Sequence, residues 1–182
     1  GIKPLYVDAI GDTQPWSTDT AILGIGSTAE APAQVPINDK VRDLKAIYIY
    51  NDTYTIYLRL DVRSLIQDWG YPQKNASIYV VAFDTDFTIG SGMDDLGMAC
   101  DTYTNSRASW EIILCWNTGT SAWIQNTSWA AIDSTWWGNL RLTQNVTASA
   151  FEFSIPRSDF PAEWSGQPLA ITVASFKPGE YP

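Results

Sequence analysis

The 182-residue sequence contains no histidine, only two cysteines, Cys100 and Cys115, and only five glutamates. Without an imidazole, Ser-His-Asp and Cys-His catalysis are excluded, and so is hydrolysis at a histidine-held metal. Two thiols with no histidine to help them do not make a zinc site. A glycosidase needs only two carboxylates, but Glu111 and Glu152 alternate with apolar neighbours as solvent-face strand positions do, so a non-catalytic protein is expected. Basic residues are scarce as well. With Lys+Arg 11 against Asp+Glu 20 the net charge is −9, which opposes nucleic-acid phosphates and anionic membrane surfaces. No apolar run reaches the length of a membrane-spanning helix, so no membrane insertion is expected. The chain opens on Gly1 with neither an initiator Met nor a signal peptide, and reads as mature or excised.

Against these absences stand nine tryptophans, nine tyrosines and four N-x-S/T sequons, beginning at Asn51, Asn75, Asn126 and Asn145. Chance pairing of the chain's Asn with its Ser and Thr would give about 1.4 such sequons. The surplus favours a secreted chain carrying glycans on loops, although a Ser/Thr-rich composition alone also produces sequons. A Cys100–Cys115 disulfide points the same way, to an extracellular or cell-surface location. It is expected across a hairpin of Gly97–Tyr103 and Ser109–Trp116, where closing the loop would contribute about 3 kcal/mol.

The pattern is that of strands. Ile78 to Phe83 is apolar without a break, as in a strand covered on both faces. Tyr54, Ile56, Leu58, Leu60 and Val62 alternate with polar residues and follow Leu44–Asn51, so the two runs form a hairpin turned at Asn51-Asp52. Trp110, Ile112, Leu114 and Trp116 share one strand face, and Phe151, Phe153 and Ile155 share another. Further strands are expected at Lys3–Asp8, Ser121–Gln125, Leu140–Gln144 and Pro168–Phe176, with a 3₁₀ turn near Ser158–Phe160. Residues 9–40 carry breakers and no sustained period, and are expected to be loop. About ten short strands and minimal helix predict an all-β, two-sheet antiparallel β-sandwich, jelly-roll or immunoglobulin-like, as a single domain over 1–182.

Two groups of residues could carry chemistry. Asp84, Asp86, Asp94 and Asp95 follow the central strand around Gly90 and Gly92, an oxygen-rich irregular loop that suits a structural Ca²⁺. A solvated acidic turn whose Asp residues cap their own backbone is the alternative. The second group is Trp123, Trp129, Trp136 and Trp137, with Asn126, Asp133 and Arg141 close in sequence. Flat rings cover the apolar faces of a sugar while amides and charged groups take its hydroxyls. The same rings could equally cover an open end of the sandwich or form a protein interface.

Tyr6-Val7-Asp8 with Gly11 and Trp16, Asp43-Leu44-Lys45-Ala46, Ala82-Phe83-Asp84-Thr85-Asp86 and Phe151-Glu152-Phe153-Ser154-Ile155-Pro156 occur in an order that resembles the DOMON-like β-sandwiches. The likeness is to the family-9 type of carbohydrate-binding module attached to secreted glycoside hydrolases and surface proteins. That resemblance implies two antiparallel sheets, a structural calcium and aromatic contacts to a glycan or polysaccharide. The opening departs from it, because Asp8-Ala9-Ile10-Gly11-Asp12 stands where the family has Asp-Gly followed by Glu-Trp. A second expectation is a glycosylated structural subunit of an extracellular filament or surface layer, self-associating through strand-like termini by β-strand addition.

Overall fold

The computed structural model describes residues 6–7, 41–42, 44–65, 77–97, 103–104, 108–118, 121–162, 164 and 170–176. They form ten strands in two five-stranded antiparallel sheets. In chain order these are β1 (Tyr6–Val7), β2 (Leu44–Asn51), β3 (Thr55–Val62), β4 (Ile78–Asp84), β5 (Ile112–Asn117), β6 (Ala122–Asn126), β7 (Ala131–Ser134), β8 (Arg141–Asn145), β9 (Ala150–Pro156) and β10 (Ala170–Phe176). The first sheet runs β1-β2-β3-β9-β8 and the second β10-β4-β5-β6-β7. The expected loop at 9–40 lies outside the described residues.

The core between the sheets follows from period-2 alternation. Ile56, Leu58 and Leu60 of β3 with Phe151, Phe153 and Ile155 of β9 face Tyr79, Val81, Phe83, Ile112, Leu114 and Trp116 of the second sheet. At its centre Tyr79 stacks on Trp116, with ring centroids 5.1 Å apart, and both rings touch Phe151. Such ring pairs contribute about 0.5–1.5 kcal/mol each beyond the area they bury. Tyr79 is fully buried yet satisfied, since its hydroxyl donates to the Val41 carbonyl at 2.6 Å.

The second sheet is covered on its other face too, which is why β4 carries no polar residue before Asp84. Val80, Ala82, Ile113 and Cys115 point outward into a smaller cluster closed by Leu96 and Trp110, with Met93, Trp123 and Trp129 packed against it. The cover comes from the excursion between β4 and β5, held by isolated bridges Met93↔Trp110 and Asp95↔Tyr103.

Two expectations are corrected here. Trp110 does not share a face with Ile112, Leu114 and Trp116. It belongs to the outer cluster and they to the inner core, because the strand is irregular at Glu111 and regular pairing begins only at Ile112. The Cys100–Cys115 bridge is not made either: Cys115 carries a free, buried thiol, and Cys100 lies outside the described residues. Most of the Gly97–Tyr103 arm of the expected hairpin lies outside the described residues. Trp110 pairs with Met93, and the neighbours of Cys115 across the ladder are Val80 and Trp123. Burial pushes that thiol up to about 12, leaving it inert as a nucleophile.

Candidate functional site

The end of β4 and the start of β5 form the first candidate. Asp84 closes β4 and is 2% exposed. Its Oδ1 accepts the backbone N–H groups of Phe87 at 2.8 Å and Asp86 at 3.2 Å, which folds the chain into a tight turn and brings Asp86 back beside it. Phe87 takes a left-handed φ of 55° in that turn, a conformation uncommon for a bulky side chain. Glu111 reaches the same place from the irregular start of β5, where its N–H donates to the Phe83 carbonyl. Its Oε2 accepts from the Thr85 N–H at 2.8 Å and from the Thr85 hydroxyl at 3.1 Å.

Asp84, Asp86 and Glu111 can therefore each offer a carboxylate oxygen within 4.8 Å of the others. Asp84 Oδ2 and Glu111 Oε1 are buried with no hydrogen-bond partner. Burying a charged oxygen without a partner costs several kcal/mol, so this is an arrangement that a cation relieves. Desolvation is the main reason that Asp84 and Glu111 hold their protons above the usual carboxylate range, with the neighbouring acidic charge adding to it. Gly92 completes the cradle. Its φ is +75°, and a Cβ there would overlap Glu111 Oε1 and the Trp110 carbonyl. An all-oxygen donor set with an irregular loop fits a hard divalent ion such as Ca²⁺, which Asp84, Asp86 and Glu111 could hold.

The sequence pointed to this loop but to a different set. Asp94 and Asp95 do not join the group. The Asp94 carbonyl accepts from Thr104, and the Asp95 carboxylate accepts the Gly97 N–H at 2.7 Å. Glu111 was missed because regular alternation would place it in solvent, and the only signal was its position beside the chain's return to the end of β4.

The second candidate is the turn between β7 and β8. Of the four tryptophans expected in a ligand surface, Trp136 and Trp137 are exposed at 81% and 64%. Their N–H groups both donate to Ser134 Oγ, which fixes the turn that carries them. The other two are packed. Trp123 leans on the outer cluster with Nε1 donating to Gln125, and Trp129 meets Trp110 edge-on at 5.3 Å. Asn126 uses its Oδ1 to cap the Ser128 and Ala130 N–H groups, and Arg141 donates to the Gly138 and Leu140 carbonyls. Asp133 is 4% exposed and accepts N–H groups from Ser134, Asn139 and Leu140, so it braces the turn from inside.

An unforeseen feature is an open groove of about 420 Å³ lined by Thr53, Tyr54, Arg157, Phe160 and Trp164, in which the Arg157 guanidinium lies 4.7 Å above the Trp164 ring. It forms where the β2–β3 turn meets the end of β9, two segments about a hundred residues apart. Of the sequons, Asn51 and Asn145 are exposed at strand ends, Asn126 is half-buried, and Asn75 lies outside the described residues.

No protein-family model matches the chain, and no curated protein does. The likeness to family-9 carbohydrate-binding modules therefore rests on the short motifs quoted above.

Proposed function

We propose that this protein is a non-catalytic glycan-binding β-sandwich of an extracellular or cell-surface protein, with a structural Ca²⁺ at Asp84, Asp86 and Glu111. The observation that carries the reading is the Trp136–Trp137 pair. Two adjacent indoles of this size are costly to leave in water, and these sit on a turn whose backbone is held by Ser134 and Asp133. A rigid aromatic platform loses little entropy on binding and suits the apolar face of a pyranose. The two-sheet fold and the motif likeness support the same reading. The test is a glycan array followed by calorimetry on any hit. Binding that Trp136→Ala and Trp137→Ala each weaken at least about tenfold, the value of one good stacking contact, supports it. An array without hits at high protein concentration refutes it.

A structural subunit that assembles by strand addition is a second reading, favoured by the edge of the second sheet. β10, A-I-T-V-A-S-F, pairs along its whole length with β4 and with no other strand among the described residues. It carries neither charge nor proline, the devices that usually blunt an edge. Filaments seen by electron microscopy would favour this reading over the first.

A further inference from the structure

We propose that the groove between the β2–β3 turn and the end of β9 is a second ligand site, built for an acidic glycan whose uronic acid residue sits between Tyr54 and Arg157. One wall is Thr53 and Tyr54, and the other is Arg157, Ser158, Phe160 and Trp164. The Arg157 N–H donates to the Tyr54 carbonyl at 2.9 Å, which ties the two walls together. Each wall is also held by itself. Asp52 Oδ1 accepts the Tyr54 and Thr55 N–H groups at 2.8 Å, and the Phe160 N–H donates to the Arg157 carbonyl at 3.2 Å. Phe160 in turn packs edge-on against Phe83 of the core, with ring centroids 5.1 Å apart. The groove is thus shaped by the fold before any ligand arrives, and a pre-formed site loses less entropy on binding. Its volume of about 420 Å³ lies in the range of small-ligand sites.

Three features choose the ligand. The first is a cation with unused donors. The Arg157 guanidinium lies over the Trp164 ring, and among the described residues no carboxylate pairs with it. A ring is not a conventional acceptor, so the guanidinium keeps the fork of N–H groups that matches a carboxylate. The second feature is the local charge. None of the described lining residues is acidic, in a chain of net charge −9. Asp159 stands between Ser158 and Phe160 in sequence but does not line the groove, and Glu163 lies outside the described residues. Asp52, at the turn, uses Oδ1 on the backbone and Oδ2 on the Tyr57 hydroxyl at 3.3 Å. An anion therefore meets a cation here, where the rest of the chain on average repels it.

The third feature is Tyr54, an exposed ring beside the hydroxyls of Thr53 and Ser158. A ring covers the C–H face of a pyranose, and hydroxyls exchange hydrogen bonds with those of a sugar. An acidic peptide fits less well. β3 and β9, whose ends form the groove, are inner strands of their sheet, so no strand edge is open there to an extended backbone. Phe160 and Trp164 are buried, which gives the groove a floor but no deep pocket for an apolar anchor.

The test is an amide NMR titration of the full chain with tetramers of galacturonate, mannuronate and glucuronate, and with the methyl ester of each as its uncharged match. Chelator is present throughout, because uronates themselves bind Ca²⁺. The expected result is movement of the Thr53, Tyr54 and Ser158 signals with at least one acid, bound at least about tenfold more tightly than its ester. Tyr54→Ala, at an exposed position, is expected to weaken binding about tenfold. Arg157→Gln is expected to bring the acid down to the affinity of its ester. Trp136→Ala is expected to change neither, so this site is read separately from the Trp136–Trp137 platform. Should Arg157→Gln fail to fold, Arg157→Lys takes its place: it keeps the charge but not the bidentate fork, and an unchanged affinity overturns the proposal. So does the absence of movement with every tetramer at millimolar concentration, equal binding of acid and ester, or a hexa-aspartate peptide that binds as tightly as the sugar.

Discussion

Gly138 is the residue with least freedom at the candidate sites, because a Cβ there would overlap Asp133 Oδ1 and press on the Ser134 N–H. Gly138→Ala is expected to destabilise the fold by about 1–3 kcal/mol, as overpacking usually does. Urea unfolding measures it, and a loss of only a few tenths would show that the β7–β8 turn yields. At the other site, Glu111→Gln removes one of three charged oxygens and is expected to weaken Ca²⁺ binding by on the order of tenfold or more. Titration calorimetry reads the change, while Asp94→Asn and Asp95→Asn serve as controls expected to bind as wild type does. Unchanged affinity in Glu111→Gln would remove it from the ligand set. Asp84 and Asp86 were legible in sequence because they directly follow a buried strand. Glu111 was not, because its orientation depends on a strand irregularity that an alternating pattern cannot express.

At the scale of elements, the β2–β3 hairpin, β4 and β9 lie where hydrophobic period and turn chemistry put them. Asp52 makes the hairpin turn as its residue type predicts, accepting the Tyr54 and Thr55 N–H groups at 2.8 Å. Tyr54, grouped by alternation with Ile56 and Leu58, falls instead in the turn and is 80% exposed. β7 was not legible. Four residues, A-I-D-S, give no period, and a buried aspartate reads as loop until its three N–H donors are seen. The open edge of β10 makes a prediction of its own. Thr172→Lys adds a charge to a strand that lacks one and is expected to leave the monomer folded while reducing any assembly that proceeds through that edge. Light scattering and microscopy compare the two proteins, and undiminished assembly would exclude this edge as the junction.

For the whole molecule, the two candidate sites differ in what they need. On the reading proposed above the Asp84 cluster holds an ion, and a ligand that binds only the folded state stabilises it by about 2.7 kcal/mol at a hundredfold excess over Kd. For a chain of this size that is a rise in Tm of roughly 5–10 °C. Differential scanning calorimetry with Ca²⁺ and then with excess chelator is expected to show that rise and its reversal. A Tm indifferent to both would argue that the buried oxygens of Asp84 and Glu111 are satisfied by their protons alone.

The sequence by itself determined the class of the molecule and the position of its centre. Alternation over short runs, doubly apolar Ile78–Phe83 and the lack of long amphipathic segments leave only stacked antiparallel sheets, because each strand must bury one face and β4 both. It also located the acidic loop and the indole-rich turn. Tertiary structure decided which side chains meet. Glu111 joins Asp84 and Asp86, Trp110 crosses to the outer cluster, and Cys115 is left as a buried thiol. Each of these depends on a register or an irregularity set by pairing between distant segments. A one-residue shift in such pairing turns a side chain to the opposite face, and no local pattern records it.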